Sequence, residues 1–256
     1  MRSLLAAYFA RLWRDKVFWL CLGVMLVYAL GYMLLGCVQA GIDPACRLEH
    51  YYFRFALSIG AFCALFSSMF LGTEYSDGTI RNKIIAGHRR ADIYLASLLL
   101  TFTATLLILS VWLVGGLIAI PVMGLWQMGA SQLALYLAIA VLMIAALSSI
   151  FTFVAMQSAN KTTTVVTALL LFMGMLFFSC LIDGMFIEPD ETRAFAVTGV
   201  VQAVCGFLAD ILPTGQGLQM AFLNVRHPLR MLLSSAFVTA VVTLYGIKRF
   251  EQKDLK

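Results

Sequence analysis

The stretch IYLASLLLTFTATLLILSVWLVGGLIAIPVMGLWQMGASQLALYLAIAVLMIAALSSIFTFVAMQSAN, from Ile93 to Asn160, runs for 68 residues without one Asp, Glu, Lys or Arg. One helical crossing of a bilayer takes about 20 apolar residues, so the run is too long for one span and sufficient for two. Pro121, Gly124, Gln127 and Gly129 supply the turn that divides it. Spans are expected over about 93–120 and 132–156.

Working outward, the same reading places spans at about 17–37, 55–73, 162–182 and 231–247. Apolar residues make up 62% of the 256 positions and charged ones 12%, with a mean hydropathy of +0.92. That balance excludes an ordinary soluble domain and predicts an all-α polytopic membrane protein with six transmembrane helices in one domain over 1–256.

The basic residues test the count. With six spans, Arg2, Arg11, Arg14, Lys16, Arg81, Lys83, Arg89, Arg90, Lys161, Lys248, Arg249, Lys253 and Lys256 fall on one face, and Arg47, Arg54, Arg193, Arg226 and Arg230 on the other. Thirteen against five makes the first face cytoplasmic, with both termini on it. Ala194 to Ala209 is also uncharged, but a seventh span there would carry the basic tail outside. It reads instead as an interfacial or re-entrant helix held by protein, within an outer insertion over 183–230. The net charge of +5 follows from this topology and from contact with anionic lipid, and nucleic acid is not an expected partner.

Residues 1–16 carry Leu4, Leu5, Tyr8, Phe9, Leu12 and Trp13 at helical spacing with arginines between, the pattern of an amphipathic helix in the cytoplasmic interface. A simple extension of the first span into the headgroups is the competing reading. Leu34-Leu-Gly-Cys37 and Val38-Gln-Ala40 have the form of cleavage boxes. The apolar run before them exceeds the 7–15 residues of a signal core, so the segment is expected to be retained. The six cysteines show no metal spacing; Cys37 and Cys46 flank the first outer loop and could pair in an oxidising exterior.

Between the second and third spans lies Glu74-Tyr-Ser-Asp-Gly-Thr-Ile-Arg-Asn-Lys-Ile-Ile-Ala-Gly-His-Arg-Arg90. Ser76 or Asp77 can cap a helix start, Gly78 and Thr79 open it, and Gly87 offers the left-handed geometry that ends it. Ile80 and Ile84 then share a face, with Arg81, Lys83, Arg89 and Arg90 around it. An apolar ridge ringed by charge suits a groove on a soluble partner; a basic loop that only sets topology is the competing reading.

No Gly-x-Ser-x-Gly, His-Glu-x-x-His or paired membrane carboxylate appears, which argues against an enzyme. His50, His88 and His227 lie in loops or at their edges. Asp183, at the outer end of the fifth span, is the nearest approach to an ionisable residue inside a span, and it reads as a helix-end residue facing the headgroups. A phosphate-binding Gly-x-x-x-x-Gly-Lys-Ser/Thr loop is likewise missing, so if the protein pumps, the ATPase is a separate chain.

Glu74-Tyr75, Gly78-Thr79-Ile80-Arg81-Asn82-Lys83 and Gly87-His88-Arg89-Arg90 resemble the cytoplasmic loop of bacterial type-two, exporter-like ABC-transporter permeases. Leu212-Pro213-Thr214-Gly215-Gln216, late in the outer insertion, is also similar to that family. The early lysine that many members carry in the third span has no counterpart in Ile93 to Leu100. The resemblance implies a bacterial cell-membrane subunit in which Gly78 to Ala86 is a coupling helix. Gly78, Thr79, Ile80, Arg81, Lys83, Ile84 and Gly87 would dock an ATPase, and Glu74 would be the acidic residue closing the second span. It implies two ATPase copies holding ATP and Mg, a second permease chain, identical or a relative, and no cofactor in this chain. An amphipathic cargo, peptide or lipid-like, comes from family habit alone. A non-transporting scaffold or sensor and a secondary carrier remain the alternatives. Ser67, Ser68, Ser148, Ser149, Ser234 and Ser235 are expected at close helix contacts or along a pathway.

Overall fold

Long uninterrupted apolar runs leave the backbone no polar partner but itself, and helices result. The computed structural model describes residues 2–42, 47–123, 127–158, 160–184 and 199–253, and no strand occurs among them. The helices are α1 Arg2–Leu12, α2 Lys16–Ile42, α3 Leu48–Tyr52, α4 Phe55–Ser76, α5 Thr79–Ile85, α6 Arg90–Met123, α7 Ala130–Gln157, α8 Lys161–Gly184, α9 Gly199–Ile211, α10 Pro213–Ala221 and α11 Pro228–Glu251. Among the described residues, six helical stretches are long and apolar enough to cross a membrane, namely α2, α3 with α4, α6 as far as Gly116, α7, α8 and α11. The chain is an all-α polytopic membrane protein.

α4 and α7 form the centre. Of the most apolar part of α4, 67% is buried, against 17% for α11 at the periphery. α2 shows how a lipid-facing helix is written: Phe18, Cys21, Met25, Ala29, Met33 and Gly36 make one buried stripe, while Leu20, Val27, Leu34 and Val38 face outward.

Two ends can be told apart by their polar contacts. At the first, the Tyr75 hydroxyl donates to the Met156 carbonyl (2.8 Å), the Lys253 ammonium donates to the Met156 and Gln157 carbonyls (both 2.8 Å), and Arg90 donates to the carbonyls of Phe250, Glu251 and Lys253. These cations satisfy carbonyls that the closing turns of α7 and α11 leave without helical partners. Burial holds the Lys253 pKa below its ordinary value. α1 docks at this same basic end, where Tyr8 and Arg11 meet Glu74.

Several expectations are corrected here. Pro121, read as part of the turn, lies within α6; Gln127 to Gly129 are non-helical, and Gly124 falls outside the described residues. α1 is a separate helix rather than an extension of the first span, because the chain turns over Trp13–Asp15 and the Asp15 carboxylate caps α2, accepting from the N–H groups of Val17 (2.7 Å) and Phe18 (3.2 Å). Leu4, Tyr8 and Leu12 of its apolar face are buried and α1 packs against α6, while Leu5 and Phe9 are only partly buried and Trp13 is exposed. Cys46 lies outside the described residues, so its pairing with Cys37 is not described.

At the far end, α9 has 13 residues, about 20 Å of helix, too short to cross a bilayer. Among the described residues no seventh stretch is long and apolar enough to span. The helix held by protein is the next one. Every residue of α10 is buried, whereas Val200, Val204 and Phe207 of α9 are exposed. Pro at the first helical position starts α10, and its side chains knit the surrounding helix ends together. Thr214 Oγ1 lies 2.7 Å from Ser179 Oγ of α8; the Gln216 amide donates to the carbonyls of Asp210 (2.8 Å) and Met231 (3.1 Å) and accepts from Ser235 Oγ (2.7 Å). Gly217 permits the contact with α4, since a Cβ there would lie 2.6 Å from the Ala56 carbonyl oxygen. Gly217→Ala is expected to cost about 1–3 kcal/mol through forced backbone movement, read as a lowered unfolding midpoint in detergent.

The serines resolve into packing. Ser67, Ser68, Ser148, Ser149 and Ser235 are fully buried, with Ser67, Ser68 and Ser149 bonded to carbonyls of their own helices, and Ser148 lies 3.6 Å from Cys63 across α4 and α7.

Candidate functional site

The loop after the second span folds as expected in outline and differently in detail. Ser76 and Asp77 do not cap α5: Ser76 Oγ donates back to the Gly72 carbonyl (3.0 Å) as the last residue of α4, and Asp77 closes that helix. Gly78 takes the cap position of α5 with φ +65, a left-handed conformation that glycine adopts without steric cost. Gly87, φ +88, ends α5 as read: its N–H donates to Ile84 (2.9 Å) and that of His88 to Lys83 (3.2 Å), the paired bonds of a Schellman turn. Two glycines thus bracket seven helical residues and reverse the chain into α6.

The faces of α5 are rotated from the expected ones. Ile80 is buried against its own chain and Ile84 is partly buried beside it, so the ridge predicted for a partner's groove is instead the root that seats α5 on the bundle. The outward face is Arg81, Asn82, Ile85, Ala86 and Gly87, with Arg89 beyond the turn; Ile85 is 74% exposed. Alternation of Ile80, Ile84 and Ile85 offers two possible apolar faces, and only packing chooses between them.

Lys83 also turns inward. Its ammonium donates to both carboxylate oxygens of Glu74 (2.8 and 2.9 Å), which is 1% exposed. Arg11 from α1 donates to Glu74 Oε1 (2.9 Å), and the Tyr8 hydroxyl donates to Oε2 (3.0 Å) while lying 2.9 Å from Ser97 Oγ of α6. The Lys83 ammonium sits 3.8 Å from the centre of the Tyr8 ring and the Arg11 guanidinium 4.9 Å from that of Phe70, so both cations gain aromatic contacts as well. One carboxylate therefore ties α1, α4 and α5 together, and Tyr8 extends the link to Ser97 of α6. Burial pushes the Lys83 pKa below its ordinary value while Glu74 opposes the shift; burial, with the Glu74 charge, pushes the Tyr8 phenol up. The phenol stays protonated and remains a donor.

The sequence reading named Glu74 and missed its partners. Tyr8 was legible as part of the α1 apolar face. A phenol buried at that position needs an acceptor, and the single acid ending the second span was the available one.

Asp183, at the end of α8, accepts from Arg226 Nη2 (3.0 Å). Thr79 Oγ1 donates to the Glu74 carbonyl (3.0 Å) and so joins the chain linking α4 to α5. No group of three or more His, Cys, Asp or Glu among the described residues is arranged to hold a metal. No family model and no curated protein matches this sequence.

Proposed function

We propose that this chain is the membrane-spanning permease subunit of an ABC transporter. It moves an amphipathic substrate, a peptide or lipid-like molecule, with ATP hydrolysed by a separate subunit in the bacterial cell membrane. The supporting observation is α5: a short helix on a carboxylate hub, with a basic and apolar face turned outward between two spans. Exposed Ile85 beside Arg81 gives a partner an apolar anchor and a charge to pair, the composition that carries binding energy at interfaces. A push on α5 reaches α4 and α1 through Glu74, and α6 through Tyr8 and Ser97, which is what a lever from an ATPase to the spans requires. Two such chains, each with an ATPase on α5, would rock between conformations as the ATPases close.

The described buried carboxylates favour this reading over a secondary carrier. Glu74 sits near the end of α4, Glu49 in α3 and Asp210 in α9, none in the middle of a span. The transport claim is tested in vesicles holding the purified chain with its ATPase and a fluorescent amphipathic peptide or lipid. Redistribution that needs ATP supports it; redistribution driven by an ion gradient without ATPase makes the chain a carrier, and none under either condition makes it a scaffold.

A further inference from the structure

The far end carries a site that the transport reading does not use. Between α9 and the start of α11 lies a cleft of about 520 Å3, within the range of ligand pockets. Ala203 and Phe207 of α9 form its apolar wall, while Arg226, His227 and Arg230 line the other.

Arg230 is poised rather than consumed. Its guanidinium donates one N–H to Asp210 Oδ2 (3.2 Å), yet 45% of the side chain remains exposed. Asp210 is itself buried and takes a second bond from the Gln219 amide (3.0 Å), which fixes the carboxylate and through it the arginine. A guanidinium has five N–H donors, so one held in place by a single bond can take an oxyanion with the rest. The Phe207 ring stands 5.7 Å from the Arg230 guanidinium and completes a corner that is cationic on one side and apolar on the other.

Outside the cleft, an exposed apolar row runs along α11 from the residue that precedes Arg230. Leu229, Leu233, Phe237 and Val241 recur every four residues on α11 and are 73, 71, 69 and 45% exposed, one continuous row starting beside Arg230. An anion site at the head of an apolar row, at the end of a membrane-spanning helix, has the dimensions and polarity of a lipid.

We propose that the cleft binds the head group of an anionic phospholipid of the surrounding bilayer, its phosphate on Arg230 and His227 and its acyl chain along the Leu229–Val241 row. The inference stands on the cleft alone and does not depend on the ATP-coupled reading. The test uses the full chain in phosphatidylcholine nanodiscs containing a minor fraction of phosphatidylglycerol with a photoreactive acyl chain, followed by peptide mapping. Cross-links within 229–241 are expected to exceed those from phosphatidylcholine bearing the same group by about five-fold at equal mole fraction. Two variants should each abolish that preference: Arg230→Gln with His227→Gln removes the two phosphate ligands, and Ala203→Trp fills the cleft and leaves both in place. The second variant guards against the first failing to fold. Equal labelling by both lipids, or a preference that survives Ala203→Trp, would overturn the proposal.

Discussion

Glu74→Ala is expected to be among the most damaging single substitutions in the chain, costing about 3–5 kcal/mol, the range for removing one partner of a buried ion pair. Three groups lose their acceptor at once: the Lys83 ammonium, the Arg11 guanidinium and the buried Tyr8 hydroxyl. Lys83 keeps 20% of its side chain exposed and Arg11 33%, so partial hydration places the loss toward the lower part of that range. The damage should also be local in pattern. Amide hydrogen exchange should rise in α1 and α5, whose attachment runs through this carboxylate, before it rises in α7, which does not touch it. A second change identifies the cause. Adding Lys83→Met removes the stranded ammonium and should restore a large part of the unfolding midpoint, since apolar replacement of a buried pair is close to neutral. If Glu74→Ala unfolds at the wild-type midpoint, with unchanged exchange in α1 and α5, the hub does not hold the basic end together.

Much of the fold was legible because membrane spans are written in composition. The uncharged run from Ile93 to Asn160 resolves into α6 and α7 with ends within a few residues of those expected, apart from Pro121, which the helix absorbs in its last turn. Helix ends are harder to read, since the stop depends on capping partners elsewhere, as Arg90 and Lys253 show for the closing turns of α11 and α7. Charge parity argued against a span over Ala194 to Ala209, and the described part of that segment lies in α9, 13 residues long. That α10, and not α9, would be the buried helix was not visible. Gly215, Gly217 and Gln216 look like loop chemistry in sequence, and their role emerges only when Ala209 meets Gly215, Ala56 meets Gly217, and Met231 and Ser235 bond Gln216.

The site was legible at its covalent scale and opaque at its packing scale. Left-handed turns need glycine, so Gly78 and Gly87 bracket α5 in the sequence as they do in the structure. Periodicity marked Ile80 and Ile84 as one face but could not say whether that face meets a partner or the chain itself. The answer lies in Glu74, which draws Lys83 inward and thereby rotates Ile80 under the helix. A substitution at Ile80 or Ile84 would thus report on folding, and a test of docking has to use the outward residues.

Arg81→Glu with Ile85→Asp is that test. Both side chains are exposed, Ile85 at 74%, so the double change should leave the unfolding midpoint within about 0.5 kcal/mol of wild type, as surface substitutions generally do. It reverses the charge and removes the apolar anchor of the face that α5 presents. Loss of one anchor residue typically costs about 2 kcal/mol or more at an interface, so the pair should weaken partner binding by about thirty-fold or more. The measurement is affinity purification of the tagged wild-type and variant chains from membranes of the source cells, scoring nucleotide-binding protein and ATP hydrolysis in the eluate. The account requires an ATPase that co-purifies with the wild type and is lost from the folded Arg81→Glu, Ile85→Asp variant. An ATPase retained in full by that variant, or none with the wild type, would contradict it.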